Sequence, residues 1–414
     1  MPSSTAFAEE IEKVSPKINA REEIRVRGFI KIVSSVGGLS GFLHAMKSPS
    51  PGQLLLLGVP GMEVDDSYAN FIRRVQPGGF ILFGRNIESP DQLRRLTDRL
   101  RELSDIEPII TIDQEGGRVS RLKLLGNEPP NARQLRGKGD LELIACHGEL
   151  TGQLLRIFGF NLDLCPVLDI AFDDEADNSL RGRCYGTTAN QVITMAGVFN
   201  KALQSTGVLS CGKHFPGYSS ASSDPHHELS ALPRSLAELE AHELKVFRHF
   251  TAGENTVDSM MTGHISFAEL DASGLPASLS PVVTTKLLRE GMGFQGLVMT
   301  DDLDMGAIIN HHGFDEMIRL GLAAGNDLLM ICHRTELAEQ AFKILEKSPS
   351  DQLERAYANL AAFKAKMAPP TSFTLENFQS LDQAVWDLRV NVLGAEEAAK
   401  RSPEDGKRSP VETY

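Results

Sequence analysis

Eight short apolar runs, separated by stretches with helical periodicity, restrict the fold of this 414-residue chain more than any other feature. Apolar residues are continuous within each run, which is typical of parallel strands buried on both faces. Ser89 and Pro90 begin one of the helical stretches, because serine caps a helix and proline suits its first position. The runs are LLLLGV (54–59), GFILFG (79–84), PIITIDQ (108–114), LCPVLDI (164–170), GVLSCGKHF (207–215), SMMTGHI (259–265), GLVMTDD (296–302) and DLLMIC (327–332).

Strands that alternate with helices in this number predict an α/β fold, a (β/α)8 barrel of the TIM type, for which about 250 residues suffice. We place the barrel at residues 51–348 and extra C-terminal helices, packed on it, at 349–396. Residues 1–50 form an N-terminal extension of unknown role, and the polar stretch 397–414 is expected to be disordered. A doubly wound open sheet is the alternative, but no glycine-rich phosphate-binding sequence follows the first strand.

Charge and cysteine usage exclude several functional classes. The net charge is −13 and no long run of lysine and arginine occurs, which argues against binding to nucleic acid or to an anionic membrane. The five cysteines are scattered and never form a CxxC pair, as in proteins of reducing compartments. The first residues carry acids where a secretory signal needs basic residues. We therefore expect a cytoplasmic protein. We also expect it to be a monomer.

Charged residues follow the apolar runs where a barrel of this type builds its active site, at the carboxyl ends of the strands. Asp113 ends the third run and is followed by Arg118 and Arg121, a set that can grip a polar ligand such as a sugar or form structural salt bridges. The fifth run ends in Lys213 and His214.

The seventh run leads into the acidic segment TDDLD (300–304). Adjacent side chains of a strand point to opposite faces, so only one of Asp301 and Asp302 can face the barrel mouth. Asp301 could serve as a nucleophile or base with Asp302 and Asp304 in support. Alternatively, these acids cap the helix that follows.

The segment after His214, FPGYSSASSDPHHELS, places Asp224, His226 and His227 close together. Imidazole and carboxylate groups can ligate a metal, but the spacing matches no compact zinc pattern. A carboxylate two residues from an imidazole can also set its tautomer and basicity, which makes a proton-transfer pair. A solvated loop without a chemical role is the third possibility.

Six segments occur in the order seen in glycoside hydrolase family 3, and the chain resembles the bacterial β-N-acetylglucosaminidases of cell-wall recycling in that family. The resemblance covers about residues 51–348. The segments are DQEGGRVSR, KHFPG, DPHHEL, MMTGHISFAELD, PASLSP and GLVMTDDLDM.

The resemblance implies a retaining hydrolysis in two steps, with no cofactor and no metal. It assigns the nucleophile to Asp301, the acid/base to His226 and the supporting aspartate to Asp224. It implies a small carbohydrate substrate, a GlcNAc-containing muropeptide. The sugar-binding positions it implies are Asp113, Arg121, Arg183, Lys213 and His214.

Two departures from the family pattern fall on the loop. PGYSS (216–220) replaces the common PGHG, and Pro225 replaces the serine between the paired aspartate and histidine. Because proline fixes its own backbone angle and restricts the preceding residue, we expect altered geometry at Asp224.

Other functions remain open from the sequence. They are a β-glucosidase or β-xylosidase of the same family, an inactive sugar-binding barrel, a metal-dependent hydrolase, and an enzyme that uses phosphate in place of water. The 66 residues that follow the predicted barrel are too few for the second domain that many β-glucosidases of the family carry.

Overall fold

The computed structural model describes residues 49–174, 179–218 and 235–400, and eight parallel strands form its centre. They are β1 (Leu55–Gly58), β2 (Gly79–Leu82), β3 (Ile109–Ile112), β6 (Leu162–Asp163), β7 (Leu209–Phe215), β8 (Ser259–Thr262), β9 (Leu297–Thr300) and β10 (Leu329–Ile331). Neighbours pair in this order, and β10 pairs in parallel with β1. A parallel bridge between Met299 and Leu328 joins β9 to β10, so the sheet closes as a barrel. The prediction of a (β/α)8 barrel is confirmed.

Burial explains why the apolar runs are continuous. Every residue of β1, β2, β3 and β9 is buried, since one face points into the barrel and the other packs under helices. Full burial of one large apolar side chain stabilises the fold by about 1.5–3 kcal/mol. An alternating pattern would have left polar groups in one of these two interfaces.

The fourth strand differs from its prediction. The run at 164–170 was expected to be the strand, but the regular strand is Leu162–Asp163. Pro166 has no N–H group to donate, so the ladder cannot continue regularly through it. The run still lies beside β7, since Cys211 donates to the Cys165 carbonyl at 2.8 Å and Leu168 donates to that of Lys213 at 2.7 Å.

Helices surround the barrel. Ser89 caps the helix that starts at Pro90, as predicted, by accepting from the Gln92 N–H. The stretch SLAELEAHELKVFRHF forms two helices that meet at His242. The α-helices of this layer are Asp66–Val75, Pro90–Glu102, Ala132–Lys138, Leu141–Ile157, Ala189–Ser205, Leu236–Ala241, Glu243–His249, Gly306–Ile309, Phe314–Ala324 and Thr335–Leu345, with a π-helix at Val282–Gly291.

Three helices follow: Ser350–Lys364, Leu375–Leu393 and Ala395–Ala398. The second packs on the barrel layer, where the Phe378 ring lies 5.5 Å from that of Phe158. Its Arg389 forms a buried ion pair with Glu128 at 3.0 Å and also donates to the carbonyls of Ala398 and Lys400. Residues 397–400, assigned to a disordered tail, are thus held by Arg389.

Part of the sequence predictions falls beyond the described residues. These parts are residues 1–48 of the N-terminal extension, the loop at 219–234 and the tail from 401 to 414. In the described part of the chain, no helix combines the length and apolar character that crossing a bilayer requires.

Candidate active site

A short hairpin after β3 positions the first charged groups of the barrel mouth. It consists of β4 (Gln114–Gly116) and β5 (Val119–Ser120), and its turn uses two glycines with positive φ. Gly116 has φ +105°, and a Cβ added there would lie 2.3 Å from the Pro130 carbonyl oxygen, so only glycine fits. The turn brings Arg121 back to within 3.7 Å of Asp113.

Glu115, in the middle of β4, joins the sugar-binding residues that the sequence implied. Its carboxylate accepts from Nε and one terminal nitrogen of Arg183, both at 2.7 Å, and from Lys213 Nζ at 2.7 Å. Lys213 also donates to Asp113 at 2.7 Å. The structure therefore brings Asp113, Arg121, Arg183 and Lys213 into one buried charged cluster. The sequence prediction missed Glu115, although it lies two residues after Asp113 and so on the same face of an extended chain.

Opposite charges keep Glu115, Lys213 and Arg183 ionised despite their burial. Burial alone would raise the pKa of the Glu115 carboxyl, but Arg183 and Lys213 hold that pKa below its ordinary value. Burial would lower the pKa of the Lys213 ammonium, yet Asp113 and Glu115 raise it above its usual range. The pKa of Arg183 is raised by Glu115 against the effect of burial. At neutral pH these three side chains thus carry charges that are largely shielded from solvent.

His214, at the end of β7, is oriented by Asp169. Its Nδ1 lies 2.8 Å from Asp169 Oδ2, and because a carboxylate only accepts, Nδ1 carries the proton. In the neutral ring Nε2 is then the acceptor that a ligand can use. Asp169 also accepts from the backbone N–H groups of His214 and Tyr218. Asp169 lies near the end of the fourth apolar run. Charged residues in that position were predicted as site residues for other strands, but the prediction did not include Asp169.

Asp301 follows β9 at the barrel mouth. Its N–H donates to the Thr262 carbonyl at 2.9 Å, and its Oδ1 accepts from the Asp302 N–H at 2.8 Å. Asp302 is buried, and burial together with the charge of Asp304 raises its pKa well above the usual range. The raised pKa favours the protonated form of Asp302, whereas Asp301 is only half-buried.

Among the described residues, one group of potential metal ligands lies near this point: Asp302, Cys332 and His333. Arg85 donates to His333 Nδ1 at 3.0 Å, which fixes the imidazole proton on Nε2, 3.6 Å from Asp302. A metal on Nε2 would force that proton onto the nitrogen that faces Arg85. Burial and three nearby guanidiniums also lower the pKa of His333 to about 4. The chemistry of this group disfavours a resident cation.

The structure describes six of the eight positions that the sequence analysis assigned to the site. Asp224 and His226 lie outside the described residues. The roles of all eight residues remain predictions. The other six positions all lie at the carboxyl ends of barrel strands or on the loops that follow them: Asp113, Arg121, Arg183, Lys213, His214 and Asp301.

Comparison with known proteins adds the family. The model of the glycosyl hydrolase family 3 N-terminal domain matches residues 51–360. The chain belongs to glycoside hydrolase family 3. Its curated relatives include the β-hexosaminidases of Tolumonas auensis, 32% identical over 72% of this chain and 89% of the relative, and of Vibrio cholerae, 32% identical over 74% and 89%.

Solved family 3 structures share its fold. A β-N-acetylglucosaminidase from Paenibacillus sp. str. FPU-7 is 31% identical, with a TM-score of 0.74 over 82% of this chain and 67% of that one. NagZ from Neisseria gonorrhoeae is 27% identical, with a TM-score of 0.69 over 81% and 97%. The prediction of a family 3 glycoside hydrolase is confirmed, and the names of these relatives support the β-N-acetylhexosaminidase class.

Proposed function

We propose that this family 3 enzyme is a retaining exo-β-N-acetylglucosaminidase that removes non-reducing terminal β-linked GlcNAc from peptidoglycan-derived muropeptides. The observation that carries the proposal is the buried network of Asp113, Lys213, Glu115 and Arg183, at the same end of the barrel strands as Asp301. The β-hexosaminidase and β-N-acetylglucosaminidase names of the relatives support the choice of sugar. The muropeptide as substrate rests on the resemblance to the cell-wall recycling enzymes.

The network suits recognition of one sugar ring. Asp113 retains lone pairs that can accept hydrogen bonds from hydroxyl groups, while Arg121 and Arg183 are donors. These groups are already paired and immobile, so binding a sugar requires little further loss of side-chain freedom. A rigid set of donors and acceptors at the carboxyl ends of the barrel strands suits the recognition of one terminal sugar.

The chemistry follows from Asp301 and the histidine of the loop. Asp301 attacks the anomeric carbon and forms a glycosyl-enzyme ester, while protonated His226 gives its proton to the leaving oxygen. Neutral His226 then takes a proton from water, which attacks the same carbon and releases Asp301 as a carboxylate. An imidazole pKa near 6.5 suits both duties, and Asp224 would stabilise the imidazolium.

We further propose a monomer that acts in the cytoplasm. The free cysteines, four of them buried, fit a reducing compartment. Size-exclusion chromatography with light scattering tests the oligomeric state, and a dimer mass would contradict the proposal.

The test is hydrolysis of an aryl β-N-acetylglucosaminide by the wild type, Asp301→Asn and Asp105→Asn. Asp105 is an exposed aspartate at the amino-terminal edge of the barrel and serves as the matched control. We expect Asp301→Asn to lower kcat by more than about 10³-fold, because the covalent step depends on that carboxylate, and Asp105→Asn to have no effect. A wild type that prefers the aryl glucoside would contradict the choice of sugar, and an inert wild type would favour the inactive sugar-binding barrel.

The role of His226 has its own test. His226→Ala should hydrolyse only substrates with good leaving groups, and added azide should restore its rate by replacing water in the second step. Equal loss on good and poor leaving groups, without rescue, would exclude His226 as the acid/base.

A further inference from the structure

Tyr218 and Ser179 form a buried contact that the proposed mechanism does not use. The Tyr218 hydroxyl lies 3.1 Å from Ser179 Oγ, and the two residues are 4% and 6% exposed. The Ser179 carbonyl accepts from Arg183 at 3.2 Å and also from Arg118. Ser179 therefore holds Arg183 through its main chain and Tyr218 through its side chain.

Tyr218 also contacts His214 and the carboxylate of Asp169 that holds it. The two rings lie 4.7 Å apart between centroids. The Tyr218 N–H donates to Asp169 Oδ1 at 3.0 Å, while the other oxygen of that carboxylate holds His214 Nδ1. Tyr218 thus contacts the supports of two sugar-binding residues that come from different loops.

We propose that Tyr218 is a positioning residue that, through its bond to Ser179, keeps His214 and Arg183 at a fixed separation across the sugar pocket. The inference deepens the proposed function and rests on it. Tyr218 stands where the sequence departs from the family's PGHG pattern, so the link belongs to this chain's own residues. Charges of Arg183, Asp169 and Asp301 all act on the Tyr218 hydroxyl, which shows how near it lies to the reacting groups.

The physical basis is geometric. A single neutral hydrogen bond contributes only about 1 kcal/mol to stability. Misplacing a binding group by about 1 Å can cost about 100-fold in rate, however, so a link that fixes two such groups affects function more than stability. Burial raises the pKa of Tyr218, so its hydroxyl keeps its proton at the pH of the reaction and can donate to Ser179.

The experiment compares Tyr218→Phe, Ser179→Ala and the double variant on the aryl β-N-acetylglucosaminide. His214 and Arg183 bind the sugar before and during reaction, so we expect each single change to raise KM about 5–20-fold with kcat changed less than about threefold. The double variant should be no worse than either single one, because both remove the same bond. Ser179→Thr, which keeps a hydroxyl, should restore KM to within about twofold. Tyr357→Phe, a half-buried tyrosine on the helix Ser350–Lys364, is the matched control and should leave KM unchanged.

Three results would overturn the inference. They are an unchanged KM in the single variants, increases in KM that multiply in the double variant, and a lower melting temperature without any change in KM. An inert wild type would contradict the proposed function instead. The inference would then be decided by calorimetric binding of GlcNAc. The same non-additive pattern in Kd would support it, whereas an unchanged Kd, or no binding to the wild type, would overturn it.

Discussion

Replacing Glu115 by glutamine tests how much the buried charge network contributes. Glutamine keeps the shape of the side chain but removes the charge that neutralises Lys213 and Arg183, each 2.7 Å away. Removing one partner of a buried ion pair costs about 3–5 kcal/mol. Asp113 still pairs with Lys213 at 2.7 Å, so we expect the lower end, a loss of about 3 kcal/mol in the free energy of unfolding. The loss of the bidentate contact to Arg183 should lower kcat/KM about 10–100-fold, equivalent to about 1.4–2.7 kcal/mol.

Urea unfolding and kinetics on the aryl β-N-acetylglucosaminide measure the two effects, and Glu128→Gln is the matched control. Glu128 is 3% exposed and pairs with Arg389 at 3.0 Å, outside the proposed sugar pocket. Its replacement should cost stability in the same range and leave kcat/KM within about twofold. A Glu115→Gln enzyme with wild-type stability and wild-type KM would refute the reasoning.

The ionisation of Glu115 also predicts how the free energy of unfolding depends on pH. The pKa of Glu115 in the folded state lies below its ordinary value, so its stabilisation is fully present above about pH 4.5 and is lost as the pH falls below that. Glu115→Gln lacks this ionisation. The difference in unfolding free energy between wild type and variant should therefore shrink as the pH is lowered from 5 toward 3. A difference that grows on acidification would contradict the assignment.

Three further changes have definite expected outcomes. Gly116→Ala places a Cβ 2.3 Å from the Pro130 carbonyl oxygen, at a residue with φ +105°. Urea unfolding should show that the free energy of unfolding falls by about 3 kcal/mol or more, and an unchanged free energy would contradict the turn geometry. Burial lowers the pKa of His147 to about 4, so the free energy of unfolding of the wild type should fall by about 2–3 kcal/mol as the pH drops from 6.5 to 4. His147→Leu should remove this pH dependence, and an equal pH dependence in the two proteins would refute the prediction. Asp302→Asn should keep kcat within about tenfold, because burial already favours the neutral form and the amide oxygen can accept the two backbone N–H bonds that Oδ1 accepts now. A loss of kcat as large as that of Asp301→Asn would make Asp302 the nucleophile.

The barrel could be predicted because its strands are buried on both faces and therefore apolar throughout. The fourth strand was misplaced, since hydrophobicity does not show where a backbone donor is missing, and Pro166 interrupts the ladder inside the run. The break at His242 between two short helices likewise has no glycine or proline to mark it.

The site could be predicted in part, because charged residues at strand ends are costly to bury without partners. The sequence shows which residues end a strand but not which partner comes from another loop. Arg183 meets Glu115 across 68 positions of sequence, and no local pattern relates the two. Two of the missed residues had signals in the sequence: Glu115 lies two positions after Asp113, and Asp169 lies near the end of an apolar run. The Tyr218–Ser179 contact had none.

The most direct test of the central claim is mass spectrometry of the enzyme after reaction with an activated 5-fluoro β-N-acetylglucosaminide, which slows release of a glycosyl-enzyme. Peptide mapping should find one added sugar, on the peptide that contains Asp301, and Asp301→Asn should carry none. A product formed with inverted anomeric configuration and no adduct, or an adduct on another carboxylate, would contradict a retaining mechanism through Asp301.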